Sequence, residues 1–314
     1  MSEPVHVIFG TGPVGCWTAR ALIDRGRAVR AVNRSGRRPD LMPSEVDVVA
    51  ADAANVAEAT EAAAGAAVVV QALNPPYHRW PELFPALQAG TLAAAQAAGA
   101  RFVSIENLYM YDASAPIHED ARVAPVSRKG ALRQRMAEEV VAAHERGAVQ
   151  ATSLRSSDYY GPGVTDSAWG SRLFEPLLAG KPAQVTGVLD APHSVAYIED
   201  VGRAAAELAI RDEALGRIWI APHAPARTAQ EMVAMAAEAA GVEPKAKGMG
   251  KLMMRIGGLF IPEARASVEM MYQFTAPFEV DSSRIERELD LSPTPLQEGL
   301  ERTVAWYRAR GGSA

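Results

Sequence analysis

A glycine turn between a short apolar run and an amphipathic one constrains this chain more than any other feature. Val5-His-Val-Ile-Phe9 reads as a strand, Gly10-Thr-Gly-Pro-Val-Gly15 follows without a break, and Cys16 to Arg25 places Trp17, Ala21 and Leu22 at helical spacing. Strand, glycine loop and helix in that order are the context in which Gly-x-Gly-x-x-Gly binds a dinucleotide. Gly10 permits the tight turn, Gly12 lets backbone approach a pyrophosphate, and Gly15 lets helix and strand pack closely. The helix N-terminus offers free N–H groups and a positive dipole end to the phosphates. Gly10, Thr11, Gly12, Pro13, Val14 and Gly15 are therefore expected to hold the cofactor.

The same alternation continues. Strands are expected at Ala28–Val32, Val46–Ala51, Ala67–Gln71, Arg101–Ile105 and from Ala151, with helices at Asn55–Ala64, Pro81–Ala98 and about Ser127–His144 between them. Such a chain folds as a Rossmann-type, doubly wound parallel sheet. Past Gly161 and Gly163 the pattern changes. A short helix spans Trp169–Leu178, a strand Arg217–Ala221, and a helix begins at Thr228, where Glu231 three residues on completes a capping box. Asp200 is placed to cap a helix running to about Ile210. The expected division is a dinucleotide-binding domain of residues 1–162 plus 194–221 and a small, mostly helical C-terminal substrate lobe of residues 163–193 plus 222–314. In that lobe Lys245, Lys247, Lys251 and Arg255 alternate with Met249, Met253 and Met254, side chains that adapt to an irregular pocket.

The end of the second strand bears on cofactor choice. NAD-preferring enzymes usually place Asp or Glu there, accepting from the adenosine ribose. This chain has Asn33-Arg34-Ser35-Gly36-Arg37-Arg38, without a carboxylate and with three guanidiniums. Arginine donates two parallel charge-assisted bonds to a phosphate. NADP is the expected cofactor and NAD the lesser one, with Asn33 beside the ribose and Arg34 the main contact. Asn74 lies at a strand's carboxyl edge, near where a nicotinamide ribose would sit. Tyr77, His78 and Trp80 follow at the pocket mouth.

Residues Arg101 to Gly163 resemble the active-site half of an extended short-chain dehydrogenase/reductase of the NAD-dependent epimerase/dehydratase family. Met110-Tyr111-Asp112 stands where that family has Val-Tyr-Gly, Pro125 to Arg133 where it has Pro-x-Ser-x-Tyr-Gly-x-Ser-Lys, and Arg155 to Gly163 where it has Arg-Tyr-Phe-Asn-x-Tyr-Gly-Pro-Gly. The C-terminal run Asp281–Pro295 resembles the family's ending. The resemblance implies that Asp52 lies near the adenine. It also shows an atypical member without Tyr-x-x-x-Lys: Asn107 falls on the catalytic Ser/Thr, Lys129 on the Tyr, Arg133 on the Lys and Asp158 on the Asn. Lys129 and Arg133 are four apart and share a helix face. Arg133 can bond ribose hydroxyls but has no useful proton to give. Lys129 is expected to act as a general acid or to stabilise an oxyanion. Asn107, Tyr109, Tyr111 and Asp158 are the polar groups around it.

Three functions are open on these residues. The first is an NADP-dependent oxidoreductase acting on a small carbonyl or imine compound. The second is a sugar-nucleotide epimerase or dehydratase. The third is a binding protein that senses NADP without turnover. The family commonly dimerises through two helices per subunit, which implies a homodimer through those near Pro81–Ala98 and Ser127–His144. With 314 residues, a formal charge of −5 and scattered basic residues, the chain lacks the concentrated basic face of a nucleic-acid binder. A lone cysteine, Cys16, allows no intrachain disulfide, and a reducing, cytoplasmic location is expected. No signal peptide precedes the first strand, and no apolar run reaches the about 20 residues that span a bilayer. The sequence holds no metal-ligand cluster and no nucleophile elbow. The expected partner is a small-molecule substrate.

Overall fold

The computed structural model describes residues 4–311. Among these, β1 (Val5–Phe9), β2 (Val29–Asn33), β3 (Asp47–Ala50), β4 (Ala66–Gln71), β5 (Arg101–Asn107), β6 (Gln150–Ser156) and β7 (Ile218–Ile220) form one parallel sheet. Its order is β7-β6-β5-β4-β1-β2-β3, the doubly wound arrangement expected from the sequence. The order reverses between β1 and β4, and ligands bind outside the carboxyl ends of the strands at such a point. Phe9 is level with Val32 on one side and Gln71 on the other, so the strand ends that frame the crevice align.

Five helices serve the sheet: α1 (Pro13–Ile23), α2 (Val56–Ala62), α3 (Trp80–Ala98), α4 (Arg128–Glu145) and α5 (Ile198–Ile210). Pro13 stands in the first turn of α1, where its missing N–H costs nothing. Asn55 caps α2 by accepting from Ala57 N. Gly99 ends α3 in the left-handed region at φ 62°. Val7, Phe9, Val69 and Phe102 from the strands pack with Ala94, Ala95 and Val140 from the helices. A strand buried on both faces explains why β4 reads as a continuous apolar run up to Gln71.

The chain separates into two compact units. The first takes residues up to Met110, Arg128–Arg155 and Val201–Ile220. The second takes Tyr111–Ser127, Ser156–Asp200 and the residues from Ala221 on. Tyr111–Ser127 goes with the second unit because Ile117 N donates to Glu279 O and Asp281 N donates to Ile117 O. The helices Ser171–Leu178, Ala229–Ala240 and Leu296–Gly311 build the second unit's core around Phe174, Val233, Leu300 and Tyr307. Ala183–Thr186 pairs in parallel with Ala246–Met249 beside them. The capping box at Thr228 is formed with both of its bonds. Asp200 differs from expectation. It lies within the first turn of α5, and its carboxylate accepts from Thr294 N at 2.6 Å and Thr294 Oγ1 at 2.7 Å, tying down the C-terminal segment.

Candidate functional site

A cleft of about 330 Å³ opens in the first unit at the ends of β1, β2 and β4. Gly10, Thr11, Gly12, Asn33, Arg34, Asp52 and Asn74 all line it. Gly10 has φ 110°, and a Cβ there would lie 2.4 Å from Ala72 O. A Cβ at Gly15 would lie 1.9 Å from Gly10 O. Both glycines are dictated by close backbone approach. A Cβ at Gly12 would meet nothing within 4 Å, so at this residue the cleft has room for a ligand. Pro13 and Val14 begin α1 directly after it. Cys16 is buried and donates to Thr11 O, and burial pushes its thiol up to about 11 against the opposing charge of Arg20, which leaves it a poor nucleophile.

Asn33 organises the rim. Its Oδ1 accepts from Ser35 N, Ser35 Oγ and Gly36 N at 3.0, 3.1 and 2.7 Å. Its Nδ2 donates to Thr11 Oγ1 at 3.0 Å and to Arg37 O at 2.9 Å. The side chain therefore ties the glycine loop to the loop after β2. Arg38 donates to Pro43 O and Val46 O. Of the three guanidiniums, Arg34 is the one that lines the cleft, and it is exposed. Asp52 accepts from Ala54 N at 2.9 Å, and Asn74 Oδ1 accepts from Trp80 Nε1 at 3.0 Å.

Trp80 links this cleft to a second group of polar residues in the same unit. Its ring meets Tyr77 and Phe84 edge-on, with centroids at 4.9 and 5.1 Å, and stacks on Tyr109 at 5.9 Å. Lys129 and Arg133 lie on the inner face of α4, at 5% and 2% exposure, which is rare for such residues. Lys129 Nζ lies 4.5 Å from the Tyr77 ring centroid. The Arg133 guanidinium lies 4.6 Å from that of Phe84 and donates to Ile105 O at 3.3 Å, which holds it at the end of β5. Tyr77 and Tyr109 approach hydroxyl to hydroxyl at 3.5 Å, and Asn107 Oδ1 accepts from Tyr109 N at 3.2 Å.

Two features here are not marked by the sequence reading. Glu106 is buried at the end of β5, accepting from Arg155 Nε at 2.8 Å and Ser153 Oγ at 3.0 Å. The available signal is a charged residue late in each of two adjacent apolar strands. The second is Tyr77 meeting Lys129, for which no local pattern exists.

Tyr111 and Asp158 belong to the second unit. Tyr111 donates to Glu119 O at 3.3 Å. Asp158 Oδ2 lies 3.0 Å from His193 Nε2, and the other ring nitrogen lies 3.1 Å from Gln273 O. His193 stacks on Phe274 and Phe278 at 5.0 and 5.1 Å. His223 Nε2 lies 3.0 Å from Ser157 Oγ, and burial lowers that imidazole to about 4, against the opposing effect of Ala221 O. The sequence reading marks neither histidine. Among the described residues no group of three or more His, Cys, Asp and Glu could hold a metal ion, and no helix is long and apolar enough to cross a membrane.

Solved structures share this fold. An epimerase of Methanothermobacter thermautotrophicus superposes with a TM-score of 0.80 at 16% identity, over 99% of this chain and 94% of that one. A UDP-glucuronic acid 4-epimerase from Bacillus cereus, in complex with UDP-glucuronic acid and NAD, gives 0.77 at 17% identity, over 98% and 99%. The Bordetella bronchiseptica enzyme WbmH, in complex with NAD+, gives 0.73 at 18%, over 98% and 99%. No curated protein sequence matches significantly. The sequence model of one family matches residues 6–219, from β1 into β7. On that match, the chain belongs to the NAD dependent epimerase/dehydratase family.

Proposed function

We propose that this enzyme holds a nicotinamide dinucleotide in the cleft at the ends of β1, β2 and β4. The pyrophosphate would lie against Gly10, Thr11, Gly12 and the start of α1, with Pro13, Val14 and Gly15 shaping the turn. Asp52 and Arg34 would bracket the adenosine, and Asn74 would face the nicotinamide ribose. The observation that carries the reading is the room at Gly12, flanked by two glycines where any side chain would strike backbone. NADP is favoured over NAD because β2 ends without a carboxylate and Arg34 lines the cleft. The NAD held by the Bacillus cereus and Bordetella bronchiseptica enzymes supports the cofactor class and argues for NAD within it. Titration decides between them.

A nicotinamide ring bound here supplies hydride exchange with a carbon bearing oxygen or nitrogen. The substrate class best supported is a nucleotide-linked sugar, on family membership and on the UDP-glucuronic acid held by the Bacillus cereus enzyme. Asn107 would donate to the reacting oxygen, and Lys129 would offset negative charge developing near it. A second reading, reduction of a small carbonyl or imine compound, is favoured by one observation: Lys129 and Arg133 replace the usual tyrosine and lysine of α4.

The test is titration with NADPH and NADH by nicotinamide fluorescence, in wild type and Arg34→Ala, followed by incubation with UDP-glucuronic acid and product chromatography. NADPH is expected to bind more tightly than NADH. Loss of Arg34 should weaken NADPH about tenfold, the worth of one charge-assisted phosphate contact, and leave NADH unchanged. Failure of both cofactors to bind overturns the cleft assignment. Turnover of small carbonyls alone, with net NADPH consumption, selects the second reading.

A further inference from the structure

We propose that Tyr77, with Lys129 as its positioning residue and Tyr109 as its hydrogen-bond partner, is the proton-exchanging group of the first unit, in place of any residue on α4. The proposal rests on the cofactor assignment above and adds to it the group that serves the substrate oxygen.

Placement comes first. Tyr77 directly follows Asn74-Pro75-Pro76, three residues that line the cleft. That segment is anchored by Trp80, whose Nε1 donates to Asn74 Oδ1 at 3.0 Å and to Pro75 O at 3.1 Å. The Tyr77 ring packs edge-on against the same indole. Its position relative to the cleft wall is thus fixed within one short, proline-stiffened stretch. Tyr77 is half-buried, so its ring is held while it still meets solvent.

Charge comes second. A lysine with 5% exposure is uncommon unless something compensates its ammonium. At 4.5 Å from the Tyr77 centroid, that ammonium is attracted by the ring face, an interaction that strengthens when water is excluded. The same cation offsets the negative charge that appears on the phenol oxygen when the proton leaves. Lys129 acts on the substrate through Tyr77.

Proton supply comes third. The Tyr77 and Tyr109 hydroxyls are 3.5 Å apart, the outer limit of a hydrogen bond and a distance that tightens in many sites once substrate is bound. In the oxidising direction the substrate O–H bond breaks, its proton forms the Tyr77 O–H bond, and the electron pair of the adjacent C–H bond leaves in the hydride exchange named above. In the reducing direction Tyr77 returns that proton to the substrate oxygen and takes another from Tyr109, which is half-buried and takes its replacement from solvent. Neither Arg133 nor Asn107 can stand in: a guanidinium keeps its protons and an amide has none to relay. The charged groups on the elements around it include His78 and the exposed Arg79–Glu82 pair on its own segment, and Arg133 one turn beyond Lys129 on α4.

The test needs no substrate. Phenol ionisation is followed by ultraviolet difference absorbance in the full chain, with and without saturating NADP+, alongside NADPH affinity by nicotinamide fluorescence. Wild type, Tyr77→Phe, Tyr109→Phe and Lys129→Met are compared. One of the chain's eight tyrosines is expected to ionise ahead of the rest. That early step should vanish in Tyr77→Phe, persist in Tyr109→Phe, and move up by about one pH unit, tenfold in proton affinity, in Lys129→Met. NADPH affinity should be unchanged in all three. A Tyr77→Phe profile that superposes on wild type overturns the proposal, and so does an early step unmoved by loss of Lys129. If wild type binds no NADPH, the cofactor assignment falls and this proposal with it, whereas NADPH binding with an unmoved phenol profile overturns this proposal alone.

Discussion

Glu106 is a carboxylate with 3% of its surface exposed, and everything that keeps it charged is visible around it. Burial alone would raise its pKa. The charges of Arg155 and Arg133, with the hydrogen bond from Arg155, outweigh burial and hold it below the usual glutamate range. A group depressed in the folded state stabilises fully above its unfolded pKa, about 4.3, and that stabilisation is lost as pH falls through the folded value. At neutral pH, Arg155→Met strands the carboxylate and should cost about 3–5 kcal/mol in urea unfolding. Glu106→Leu combined with Arg155→Met removes both members of the pair and should recover part of that loss, the remainder reflecting Arg133 left without the charge of Glu106. A double variant no better than the single one would show that the pair matters through packing and not through charge. Lys129 and Arg133 illustrate the limit of reading residues alone. Their spacing placed them together on α4, whereas the rings they meet, Tyr77 and Phe84, come from another part of the chain, and no local pattern pairs the two stretches.

Local pattern serves better for elements. The strands of the sheet and the helices between them were legible because apolar runs and helical spacing are properties of short windows. So was the capping box that opens Ala229–Ala240: Thr228 Oγ1 accepts from Glu231 N at 3.2 Å, and Glu231 Oε2 accepts from Thr228 N at 2.8 Å. Those bonds from Thr228 hold the Glu231 carboxyl below its ordinary value. Thr228→Ala should cost about 1 kcal/mol in thermal or urea unfolding, and Thr228→Ser nearly nothing. Equal losses in both would assign the effect to the methyl group. Asp200 was legible only as a local cap, because its partner Thr294 lies far along the chain. Tyr111–Ser127 reads as the connection between β5 and α4. Its attachment through Ile117 to the backbone at Glu279 and Asp281 rests on isolated bridges that leave no trace in composition.

Acid sensitivity is a property of the whole molecule, because each compact unit buries an imidazole that resists protonation. His223 in the second unit is 5% exposed, with Nδ1 against Ala221 O and Nε2 against Ser157. Burial lowers it to about 4 from 6.5. His6 in β1 is lowered by burial and by Arg27. Between those pH values the unfolded chain takes up a proton that folded His223 refuses, so stability falls as pH drops from about 6.5 toward 4. For His223 alone the difference amounts to about 3 kcal/mol, a large share of a typical domain's margin. His6 adds in the same direction, whereas the Glu106 pair gives way only at lower pH. Urea midpoints should therefore decline between pH 7 and pH 4.5, before the carboxylates titrate. His223→Gln keeps an amide that can bond Ser157 and Ala221 but cannot take up the proton, so its midpoint should decline less over that range. An undiminished slope in His223→Gln would move the acid sensitivity to His6 and the first unit.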